Sequence, residues 1–161
     1  MLKKYVFLSL LISSLGSKSQ DLFSPDTFLG YTLGTNFSRH HQVVDYYKYL
    51  DSNSSNVKVE SYGKTNEGRL LQLAFISTPE NLKNIENIRK NHLKNSGSEK
   101  GKLNSDNVVV WLSYNVHGNE SSGTEASMKT IYDLITKYKD WLENTMVIID
   151  PDRKSVCRER V

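Results

Sequence analysis

The sequence predicts an α/β fold, with a mixed, mostly parallel sheet flanked by helices. Three observations predict it. Val108 to Tyr114, "VVVWLSY", is the most apolar run outside the first twenty residues, and three consecutive valines followed by Trp and Leu suit a strand buried on both faces. Met128, Ile131, Leu134, Ile135 and Tyr138 then recur at helical spacing between about Ser122 and Lys139. "TMVIID", residues 145–150, closes the pattern with a second buried-type strand. Strand, helix, strand in this order is a crossover unit, which joins parallel neighbours.

The earlier elements follow the same logic. "DLFSPDTFLGYTLGTNFSRHH" is rich in turn formers and reads as an extended lead-in. Ser38 is an N-cap candidate for a helix through about Leu50, with Val43, Val44, Tyr47 and Leu50 on one face. "VKVESYG" alternates, "KTNEG" is a turn, and "RLLQLAFIS" is a second strand, so the two strands form a hairpin. Pro79 opens a polar helical segment through Lys94, and "NSGSEKGKLNSDN" is a surface loop. No internal repeat is present, and no domain boundary follows the leader.

The leader, residues 1–19, has different chemistry. Lys3 and Lys4 precede a short apolar stretch from Tyr5 to Leu15, and Ser17 and Ser19 are placed for cleavage before Gln20. That is the layout of a signal peptide, and the stretch is short for a bilayer span. The expectation is a secreted or periplasmic protein with no membrane attachment after cleavage; the alternative is an N-terminal helix of the fold. The chain carries 21 Lys and Arg against 18 Asp and Glu, and Lys3, Lys4 and Lys18 lie in the leader. Charge therefore balances once it is removed, and no Lys/Arg-rich run points to nucleic acid. Cys157 is the single cysteine of the 161 residues, so no intrachain disulfide forms and a sizeable core must hold the fold.

The candidate chemistry lies just past the apolar run, at "HGNESSG". Ligands gather beyond the carboxyl ends of strands in open α/β sheets. His117 and Glu120 stand at that place, and Gly118 lets the backbone bend so that both side chains point to one side. Imidazole nitrogen and carboxylate oxygen are ordinary zinc ligands, and a catalytic zinc site commonly combines two His, one Glu and a water. His-x-x-Glu alone is a weak pattern, since a His near a strand end is more often a satisfied surface or core residue.

Three stretches together carry more. "YGKTNEGRLLQLAFIS", "WLSYNVHGNESSGTEASM" and "TMVIIDP" resemble, in order and spacing, the early hairpin, first metal-binding turn and following strand of the zinc carboxypeptidase family, carboxypeptidase A type. The resemblance runs from about Leu29 to Pro151. It implies that residues 20–151 are the N-terminal portion of such a catalytic domain, that His117 and Glu120 are two of three Zn2+ ligands, and that the substrate is a peptide losing its C-terminal residue. Gly63, Glu67, Gly68 and Arg69 match the hairpin pattern, with the glycines turning the backbone and the two charges bracing the loop. Asn119 stands where pancreatic-type members carry arginine.

No position here matches the family's third ligand, its substrate-binding Asn-Arg pair or its glutamate base, and residues 152–161, "DRKSVCRERV", form a divergent tail. The resemblance thus implies an incomplete fold and a truncated, catalytically incomplete form. His40, His41 and His92 read as solvated, and Arg153 and Cys157 in the tail carry no assignment. Asn36, Asn53 and Asn119 match the glycosylation sequon, the last inside the metal turn. Two other functions stay open: a zinc deacylase of the aspartoacylase and succinylglutamate desuccinylase type, and a non-catalytic fragment.

Overall fold

The computed structural model describes residues 21–102, 107–117 and 122–152. The leader 1–19 and most of the tail, with Arg153 and Cys157, lie outside the described residues. So do Gly118, Asn119 and Glu120.

The lead-in contains one short helix, α1 (Pro25–Leu29), which Ser24 caps by accepting from Thr27 N while Pro25 occupies the first turn. Helix α2 (His40–Asn53) begins one residue later than a cap at Ser38 would place it. Ser38 serves another partner: its hydroxyl donates to Glu125, 2.8 Å away. Arg39 takes the cap position instead, and its N–H donates to the Gln42 side chain.

Strands β1 (Val57–Lys64) and β2 (Leu70–Ile76) form the expected antiparallel hairpin, with a register shift between Ser61 and Gly63. The polar helical segment is two helices, α3 (Pro79–Lys83) and α4 (Ile85–Asn95), separated at Asn84. Thr78 caps the first, accepting from Asn81 N. Strand β3 (Val108–Ser113) leads towards α5 (Ser122–Thr136), and a 3-10 turn (Lys139–Leu142) delivers the chain to β4 (Thr145–Asp150).

The four strands lie in the order β1-β2-β4-β3. β3 and β4 are parallel, as the crossover predicts, while β2–β4 and β1–β2 are antiparallel. The sheet is therefore mixed, with its parallel part confined to the β3–β4 pair. One face carries Ala74, Ile76, Val147 and Ile149 and packs against Val43, Tyr46, Tyr47 and Leu50 of α2 and Met128, Ile131 and Ile135 of α5. Of the helical stripe read from the sequence, Met128, Ile131 and Ile135 are core and Leu134 packs against it, but α5 stops at Thr136, and Tyr138 lies beyond it, exposed and stacked on Trp141.

β3 corrects one expectation. It is an edge strand, not one buried on both faces: Val108 and Trp111 are each 57% exposed. Composition marks the run as apolar, but burial depends on neighbours, and among the described residues β3 pairs only with β4. On the sheet's second face Val109, Trp111, Met146, Ile148, Leu73 and Phe75 line an open groove of about 830 Å³ with Leu82, Ile85 and Ile88 of α3 and α4.

Candidate metal centre

β3 and β4 end side by side, with Ser113 opposite Asp150. Tyr114 N then donates to Asp150 O at 2.9 Å, extending the pairing by one residue. At Asn115 the backbone leaves the sheet. Its φ is 50°, in the left-handed region that a short polar side chain tolerates better than a branched one. Gly123, in the first turn of α5, closes over this bend: a Cβ there would lie 3.0 Å from the Asn115 nitrogen. A side chain there would crowd that nitrogen, and glycine relieves the approach.

Asn115 is buried, and its amide Nδ2 donates to Asp152 Oδ1 in the turn after β4. The other carboxylate oxygen of Asp152 lies 2.8 Å from His40 Nδ1 at the start of α2. An ionised carboxylate only accepts, so the shared proton sits on Nδ1. His40 is thus not the solvated histidine its polar sequence neighbours suggested; its Nε2 is buried with no protein partner, as is Gln72 Oε1, and both residues line a cavity of about 10 Å³. That is about the room one water needs. His41, the next residue, is exposed as expected. His92 is exposed too, and it lines the groove on the sheet's second face.

Two residues beyond Asn115, His117 is exposed at the carboxyl end of β3, where the sequence placed it. Glu120, its expected companion, lies outside the described residues, so the pairing of the two side chains is not on display. Among the described residues no group of three His, Cys, Asp or Glu side chains is arranged to hold a metal ion. The exposed imidazole of His117 fits a metal by donor chemistry and by place.

The flank of the site is held by Glu125, which sequence reasoning did not single out. Its buried carboxylate accepts from Gly34 N at 2.6 Å, Ser38 N at 3.1 Å and Ser38 Oγ at 2.8 Å, fastening the lead-in to α5. The residue lies on the stripe's polar flank, so periodicity carried no signal for it. In the hairpin, Gly68 has φ 80° and turns the backbone as expected, and Arg69 meets Glu67 at 2.6 Å. Gly63 sits at the β1 irregularity instead of in the turn. The hairpin also reaches the sheet end near the site, where Tyr62 donates to Asp150 Oδ2 at 3.3 Å.

The family model described as zinc carboxypeptidase (Peptidase M14) matches residues 43–151. The crystal structure of the carboxypeptidase A from Helicoverpa armigera superposes with a TM-score of 0.51 at 20% sequence identity, over 80% of this chain and 30% of that one. The crystal structure of thrombin activatable fibrinolysis inhibitor (TAFI) gives a TM-score of 0.52 at 10% identity, over 73% of this chain and 25% of that one. At these identities the likeness is one of fold, and this chain spans less than a third of either structure. No curated protein matches the chain.

Proposed function

The chain belongs to the zinc carboxypeptidase family, and from that premise we propose that it presents the first metal-binding turn of a peptidase acting on peptide C-termini. His117 and Glu120 would be two of the zinc ligands. The observation that carries the reading is the place of His117, exposed where the parallel β3–β4 pair ends and the chain bends towards α5. Zinc, when bound, supplies Lewis-acid polarisation of a carbonyl and acidifies a water. The chain's own contribution is to direct an imidazole out of the sheet from a bend fixed by Asn115 and Gly123.

The proposal extends to three finer points. The chain is catalytically incomplete by itself, a reading supported by the edge of β3, open among the described residues, and by the exposed apolar side chains of Val108 and Trp111. The basic and then apolar order of residues 3–15 supports export. The partner is a peptide substrate; the balanced charge of the remainder favours neither nucleic acid nor an anionic membrane.

The test is a zinc titration of the purified chain followed by NMR of the histidine rings, alongside an assay for C-terminal residue release. Zinc should shift His117 with weak affinity, the shift should vanish in His117→Ala and weaken in Glu120→Ala, and no turnover should appear. Zinc-dependent release of C-terminal residues, lost in His117→Ala, would overturn the incompleteness. A His117 ring that ignores zinc would overturn its role as a ligand.

A further inference from the structure

We propose that Asn115, Asp152 and His40 are positioning residues for the metal turn, setting the direction in which the backbone leaves β3 and so the place of the His117 imidazole. The inference rests on the reading of His117 as a zinc ligand.

The bend at Asn115 is held from three sides. From above, Gly123 of α5 approaches its nitrogen so closely that any side chain at 123 would push the main chain. From the neighbouring strand, Tyr114 is tied to Asp150. Sideways, the Asn115 amide is fixed by Asp152, whose second oxygen is fixed by His40. The amide, carboxylate and imidazole therefore link the end of β3, the turn after β4 and the first residue of α2. All three residues are largely buried; Asn115 is 5% and Asp152 7% exposed. Asparagine tolerates the left-handed region, and the surrounding bonds select that conformation at this position. Because His117 is two residues further on, an error at Asn115 swings its ring bodily. The network thus supports the ligand through its backbone.

The experiment measures zinc affinity at the His117 ring by NMR, and the melting temperature of the metal-free chain, for each variant. Asn115→Gly keeps the left-handed backbone but loses the amide, and should weaken zinc binding about 10-fold with little change in melting. Asp152→Ala and His40→Ala should weaken it similarly. His40→Asn should restore affinity, because its Nδ2–H can take the place of the ring Nδ1–H toward Asp152. Ile135→Val, a core change remote from the network, should lower melting and leave affinity intact. Parent-like affinity in both Asn115→Gly and Asp152→Ala overturns the positioning role while leaving His117 a ligand. Affinity that follows melting temperature through all variants, Ile135→Val included, overturns it in favour of general folding support. If zinc leaves His117 unshifted in the parent chain, the ligand reading falls and this one with it.

Discussion

Glu125 shows how much a single side chain does here. A carboxylate in the first turn of α5 suits the positive end of the helix dipole. Its two oxygens also gather three donors from residues 34–38, joining segments about ninety positions apart in the chain. Removing it strands the Gly34 and Ser38 N–H groups and leaves the Ser38 hydroxyl with Tyr31 alone. Glu125→Ala should therefore cost on the order of 2–4 kcal/mol, read from urea unfolding, with Glu125→Gln losing less because its amide oxygen still accepts. A wild-type unfolding midpoint in Glu125→Ala would show that the clamp is cosmetic. Residue-scale legibility was uneven. His117 was readable because a histidine beyond an apolar run is local information. His40 was not: its partner Asp152 lies 112 positions away, and nothing near His40 in sequence announces a carboxylate.

At the scale of elements, the crossover from β3 through α5 to β4 and the β1–β2 hairpin follow from local patterns. The strand and helix periods are properties of short windows. Where neighbouring elements competed for a residue, the window misled. Ser38 is a good N-cap by type, but Glu125 took its hydroxyl and the helix starts later. β3 is the larger case. Its edge, unpaired among the described residues, and its exposed Val108 and Trp111 form a template for pairing with other chains. The chain should self-associate at high concentration. Trp111→Lys should reduce the associated fraction in sedimentation velocity, since a charge on an edge strand opposes edge-to-edge pairing. Equal association in the variant would place the sticky surface elsewhere.

At the scale of the whole molecule, the core closes around two tyrosines. Tyr46 and Tyr47 are fully buried in α2, with their hydroxyls donating to Phe23 O and Ser127 O. Burial pushes both phenols far above their ordinary value of 10.0; other tyrosines near Tyr46 add to its rise, while the bond to Ser127 partly offsets that of Tyr47. Below that value both states keep their protons and these groups make stability independent of pH. Above it the unfolded chain releases protons that the folded chain retains, so stability falls as pH rises. The slope should be about 1.4 kcal/mol per pH unit for each tyrosine. Denaturant midpoints from pH 8 to 11 should show the fall, and the Tyr46→Phe and Tyr47→Phe double variant should flatten it. An unaltered slope in that variant would place the alkaline sensitivity in other groups.

The sequence by itself determined the fold class, the β1–β2 hairpin, the β3–α5–β4 crossover, most of the core stripe of α5 and the place of His117 just past β3. All of these are written in periodicity, turn chemistry and residue type within a few positions of one another. The tertiary structure decided that β3 is an edge among the described strands, that Ser38 belongs to Glu125, and that Asn115, Asp152 and His40 meet at the end of β3. Burial and hydrogen-bond partnership are properties of which segments are adjacent in space. A chain's local pattern constrains that adjacency only after the strands have been placed in a sheet.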